Sequence, residues 1–148
     1  MRIRQIGIMA IMLVSAAFFL AGCSGNSQTM PTGRAVAGIN DNPDKVAIYF
    51  FWGDGCPHCM YQKPFLEELQ QKYPEIELKM FETWHNPENG RLFSDMAKAY
   101  GTNAQGVPTT FIADKFWVGY AEYMGKEMED KIRYCIENSC INPGDKLS

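Results

Sequence analysis

The 148-residue sequence is short of histidine: it has two, His58 and His85, beside five cysteines. It also lacks a basic excess, with 14 lysines and arginines against 17 acidic residues and a net charge of −3. That balance offers no basic face for nucleic acid, and no nucleic-acid partner is expected. Two histidines leave little for a tetrahedral zinc site, which takes four ligands. His58 lies inside a Cys-x-x-Cys and cannot easily share a metal with both sulfurs. Covalent haem attachment needs CxxCH, and here Met60 follows the second cysteine. No resident metal and no dissociable cofactor is expected. Cysteine and methionine do favour Cu(I), so a copper chaperone or binding module using the CxxC stands as the alternative reading. The nine methionines are scattered, however: three lie within residues 1–22, and core packing accounts for most of the rest.

A long membrane span is missing too. Arg2 and Arg4 precede an uncharged, mostly apolar run over residues 6–20. That run is short for a spanning helix and has the pattern of a secretory signal, with an uncleaved anchor helix as the alternative. Its end, Leu20-Ala21-Gly22-Cys23, resembles the lipobox of bacterial lipoproteins. The resemblance implies cleavage after residue 22 and lipid on Cys23, and two or more acyl chains give stable anchoring. Removal of residues 1–22 leaves 12 basic against 17 acidic residues, a net charge of −5. Residues 23–44, rich in Gly, Ser, Asn, Pro and Thr, read as a flexible tether. The expected location is extracytoplasmic, lipid-anchored to a bacterial membrane and facing the periplasm or the cell surface.

What is present after the tether is one domain, expected over residues 45–140 with a tail over 141–148. The run VAIYFFW, residues 46–52, is short, aromatic and β-branched, which predicts a buried central strand. A helix is expected from Pro57, with Pro64 inside it, followed by a strand over 76–81. Asn86-Pro87-Glu88 reads as a cap, a first-turn proline and an acid, and Gly101 as the stop of that helix. Residues 108–113 and 116–120 are expected to form a hairpin around Asp114-Lys115, and residues 126–137 an amphipathic helix. The order β-α-β, α, β-β-α predicts an α/β fold with a four-stranded mixed sheet flanked by helices.

Cys56 and Cys59 stand where the first strand gives way to the first helix. A helix N-terminus presents unpaired N–H groups and the positive end of a dipole, so a thiolate there is stabilised. The first cysteine is expected to be exposed and to exchange with a partner disulfide; the second lies within bridging reach and resolves the mixed disulfide. His58 between them adds positive charge or a hydrogen bond that favours the reduced form.

Four features together resemble the thioredoxin superfamily: aromatic strand residues leading through Trp52 to the CxxC, the Cys56-Pro57-His58-Cys59 motif itself, Pro64 five residues on, and Gly106-Val107-Pro108-Thr109. The resemblance covers roughly residues 44–138. It implies a thioredoxin fold, a cis Val107–Pro108 bond facing the CxxC, and a client segment held by the backbone of Val107. It implies thiol–disulfide exchange with protein clients and a membrane redox donor or acceptor. One position departs from the pattern. Relatives carry an acid six residues before the first cysteine, and this sequence has Phe50. The CPHC dipeptide leans toward an oxidant; the tether and the lack of the large helical insert of DsbA proteins lean, slightly more, toward a reductase.

Cys135 and Cys140 fall at the end of the last helix and just beyond it, where a structural disulfide would staple the C-terminus. A second redox pair and separate free thiols are the alternatives. His85, Trp84 and Trp117 read as loop or packing residues, and 116–118 as a possible apolar client surface.

Overall fold

The computed structural model describes Ile39 and residues 41–147. The signal segment 1–22, Cys23 and the tether through residue 38 lie outside the described residues. The elements are β1 (Val46–Trp52), α1 (Pro57–Lys72), β2 (Ile76–Glu82), α2 (Pro87–Ala99), β3 (Thr109–Ile112), β4 (Lys115–Val118) and α3 (Glu122–Asn138). A short 3-10 helix, Pro143–Leu147, follows. The sheet runs β2-β1-β3-β4, with β1 parallel to β2 and the other neighbours antiparallel.

β1 is central and buried on both faces, which is why its sequence is a continuous apolar run. Val46, Ile48 and Phe50 point to one side, where Leu66 and Leu69 of α1 and Met128 and Ile132 of α3 pack on them. Ala47, Tyr49 and Phe51 point to the other, against Leu92, Phe93 and Met96 of α2. On that second side Phe51 stacks between Phe81 and Phe93, with ring centroids 5.0 and 4.9 Å away.

Two boundaries differ from expectation. The β3–β4 turn is Ala113-Asp114, one residue earlier than expected, because Ile112 pairs with Lys115 and Ala113 takes a left-handed conformation (φ 53°). Helix α3 starts at Glu122 rather than residue 126. Its Ala121 cap makes no side-chain hydrogen bond, and Gly125 in its first turn reads as a helix breaker. Gly125 is there for closeness instead: a Cβ would come within 3.1 Å of the Phe65 ring and of the Tyr120 hydroxyl.

Residues 141–147 and 41–45 join the folded unit through hydrogen bonds at the start of β1. Beyond the last β1–β3 pair, Ile48 with Ile112, the Ala47 N–H donates to Asn142 Oδ1 at 2.9 Å. Asn142 Nδ2 in turn donates to Lys45 O at 3.2 Å and Asn42 O at 3.4 Å. Gly144 N–H donates to Asp41 Oδ2 at 3.2 Å, while Asp41 Oδ1 takes the Tyr49 hydroxyl at 2.7 Å and Lys79 Nζ at 2.6 Å. A strand N–H that would otherwise be buried and unpaired is thus satisfied by a side chain 95 residues away. The Cys135–Cys140 disulfide, with Cα atoms 4.9 Å apart, holds the turn that leads there, and Ser139 caps α3 in a left-handed conformation. Replacing Asn142 by Ala strands the Ala47 N–H and should lower the unfolding free energy by about 1–3 kcal/mol in urea titration; a loss below about 0.5 kcal/mol would show the clasp to be dispensable.

Candidate active site

The chain leaves β1 at Trp52 and turns through Gly53-Asp54-Gly55. Gly55 sits at φ 77°, a left-handed conformation that suits glycine. The Cys56 N–H donates back to Gly53 O at 3.1 Å, which closes the turn. Cys56 is the N-cap of α1 and Pro57 its first residue. Cys56 and Cys59 form a disulfide with Cα atoms 5.3 Å apart. The Cys59 N–H, one of the unpaired groups of the helix start, donates to Cys56 Sγ at 3.3 Å. Negative charge on that sulfur after reduction would therefore meet a fixed donor and the positive end of α1. Pro57 and His58 are exposed in the first turn.

Facing the pair is the loop before β3. The Val107–Pro108 peptide is cis. Cys56 Sγ lies 3.7 Å from Val107 O, so the structure brings the two motifs together although they are 51 residues apart. The loop is pinned on both sides: Thr109 Oγ1 donates to Gly106 O at 2.7 Å, and Gly119 N–H donates to Pro108 O at 2.7 Å. This apposition corrects one expectation. Cys56 is not an exposed thiol; it is 4% accessible, against 3% for Cys59. The two differ in position, one at the helix cap against Val107 and the other a turn into the helix.

Behind the pair, Phe50 is fully buried in the same apolar cluster as both cysteines. Beside it lies a polar residue that the sequence pattern does not single out: Gln62, buried, donating from Nε2 to Thr110 Oγ1 at 2.8 Å. Cys135 reaches that cluster from the far end of α3. Among the described residues no group of three or more His, Cys, Asp or Glu is placed to hold a metal ion.

A second feature missed in the sequence is Glu82, the last residue of β2. Its Oε1 accepts the N–H groups of Asp54 at 3.3 Å and Trp84 at 2.9 Å, and its Oε2 that of His85 at 2.9 Å. One carboxylate thus joins the CxxC turn to the β2–α2 loop. The Trp84 indole lies against Gly53, where any Cβ would run into the ring, and it is still 55% exposed. Met60 and Tyr61, on the outer side of α1, are also exposed. Trp117, by contrast, is a core residue whose Nε1 donates to Glu127 Oε2 at 3.0 Å, so 116–118 forms no continuous apolar surface.

No protein-family model matches the chain, and no curated protein is similar to it in sequence. Solved structures do match. A crystal structure described as a thiol:disulfide interchange protein DsbE from Chlorobium tepidum superposes with a TM-score of 0.50 at 17% identity, covering 64% of this chain and 82% of that one. Thioredoxin O1 from Arabidopsis thaliana, in its oxidised state, gives a TM-score of 0.50 at 17% identity, covering 60% of this chain and 78% of its own. The chain has the thioredoxin fold. On this thioredoxin fold Cys56 stands at the carboxyl end of the central strand, where the chain passes to a neighbour on one side through α1 and later to a neighbour on the other through the Val107–Pro108 loop. That is the crevice position at which open α/β sheets place their chemistry.

Burial works against the Glu82 carboxylate, but the N–H groups of His85, Trp84 and Asp54 outweigh it and hold the group below the usual glutamate range. Its contribution to the rim is therefore complete above the ordinary glutamate pKa and is lost as pH falls through the depressed value. At neutral pH, Glu82→Ala should speed amide hydrogen exchange at Asp54, Trp84 and His85 by about fivefold or more. Unchanged exchange at all three would mean that the carboxylate does not hold the turn.

Proposed function

We propose that this protein is a membrane-tethered, extracytoplasmic thiol–disulfide oxidoreductase that exchanges disulfides with protein clients through Cys56 and Cys59. The observation that carries the proposal is the Cys56–Cys59 disulfide at the start of α1, set against the cis Val107–Pro108 loop. The reduced pair acts in two steps. The Cys56 thiolate, favoured by the Cys59 N–H and the helix end, attacks a client disulfide; a client thiolate leaves and a Cys56–client mixed disulfide forms. Cys59 then gives up its proton and attacks Cys56 Sγ, releasing the second client thiolate and leaving the Cys56–Cys59 disulfide. Two electrons pass to the client, and a membrane redox donor restores the dithiol. The oxidant direction is the same sequence reversed.

Val107 presents its backbone to the client at the point of exchange, with Pro108 fixing the turn. Pro57 starts the helix, and His58 adjusts the poise. The reductase direction is slightly favoured by the tether and by the compactness of the insert-free chain, in which α2 is the sole helix between β2 and β3 among the described residues. The CPHC dipeptide pulls the other way. Cys23 carries the lipid, and Cys135–Cys140 is structural.

Cys56→Ser should abolish insulin disulfide reduction, while Cys59→Ser should accumulate client mixed disulfides resolvable on non-reducing gels. Full activity in Cys56→Ser would overturn the assignment, and tight Cu(I) binding without any thiol exchange would replace it with the metal-chaperone reading. A reduction potential of about −270 mV would fit a reductant, and one of about −120 mV an oxidant. Separately, Cys23→Ala should lose incorporation of labelled fatty acid and move the protein to the soluble fraction; membrane retention without label would remove the lipid anchor from the proposal.

A further inference from the structure

Gln62 Oε1 is a buried side-chain oxygen with no hydrogen-bond partner. The residue has no solvent exposure, and its Nε2 is fully engaged, by Thr110 Oγ1 at 2.8 Å and Met128 Sδ at 3.4 Å. Met128, which it touches, belongs to the apolar cluster that also holds Phe50, Leu66 and the two active-site cysteines. Thr110 is the cross-strand partner of Phe50, so the amide lies beside the ring that occupies the position of the missing acid. An unpaired amide oxygen in such surroundings is costly, and natural cores rarely keep one without a use.

The same buried face of α1 carries one donor that comes and goes. Cys59 and Gln62 are three residues apart on the buried face of α1, the spacing at which helical side chains meet. Side chains of a helix lean toward its N-terminus, so the Gln62 amide leans over the turn that carries Cys59. In the disulfide, Cys59 Sγ has no hydrogen to give. After reduction it carries an S–H, a weak donor that suits a carbonyl oxygen.

We infer that Gln62 sets the redox poise of the pair: its Oε1 accepts the Cys59 S–H of the reduced protein, directly or across one bound water. The inference rests on the redox reading above. In the balanced reaction a client or glutathione dithiol equivalent gives two electrons and two protons to the Cys56–Cys59 bond and leaves as its disulfide. One of those protons stays on Cys59, where Gln62 Oε1 receives it as a hydrogen bond. Because this bond exists in the dithiol and not in the disulfide, it stabilises the reduced protein and makes the disulfide a stronger oxidant than the helix start alone would. Gln62 is thus a positioning residue, acting through Cys59, and it works with His58 against the reductase direction.

The test is equilibration of the full chain with glutathione buffers, with the Cys56–Cys59 state read by thiol trapping and peptide mass spectrometry so that Cys135–Cys140 is counted apart. Gln62→Leu, and Gln62→Leu/Thr110→Val in which the whole polar pair is replaced, should each shift the equilibrium about three- to tenfold toward the disulfide. In the oxidised state the double variant should melt no lower than the wild type. A shift of less than about twofold in both variants would overturn the inference. The reduced wild-type protein provides a reading that needs no variant: its Cys59 S–H stretching band should lie below the free-thiol frequency, and a band at the free-thiol frequency would equally overturn it. If the wild-type pair fails to equilibrate with glutathione at all, it is the oxidoreductase reading that falls.

Discussion

Everything in this domain depends on β1 being buried on both faces. A strand covered on one side only would need one apolar face; this one needs two, and its seven residues supply them by strict alternation. The even positions make one core with α1 and α3, the odd positions another with α2. Both ends of the strand are then used. Its carboxyl end delivers the chain into the turn that holds Cys56, and its amino end is closed by the Asn142 side chain. The register of the strand before the Cys56–Cys59 pair is fixed, since a shift of one residue would exchange the two cores.

The buried pair has a different relation to solvent from the one that the motif alone conveys. Cys56 is held at a helix cap but covered by the Val107 carbonyl. In the proposed exchange, reactivity at such a sulfur would depend on how the Val107–Pro108 loop receives a client strand, not on standing exposure. The Glu82 carboxylate and the Trp84 ring determine the opposite bank of the same turn.

Local signals were legible where the residues that make an element also bound it. β1 matches its apolar run from end to end, and α2 begins at its Asn86 cap, whose Oδ1 accepts from Glu88 and Asn89. The start of α3 was not legible, because Ala121 gives no cap and Gly125 earns its place through contact with Phe65, 60 residues earlier. The same holds for the site. Cys56, Cys59 and the Val107–Pro108 loop carry motifs that resemble a known family. Gln62 and Glu82 carry none: one is a polar residue in a helix and the other an acid at a strand end. Their meaning arises from partners at Thr110 and Asp54 that only the folded chain brings near.

The clasp at Asn142 and Asp41 has a consequence for geometry on a larger scale. It brings the two ends of the folded unit together at the start of β1, while Cys56 lies beyond its finish, about 20 Å along the strand. Asp41 and Gly144 thus lie at one pole of the described unit, and the Cys56–Cys59 pair at the other.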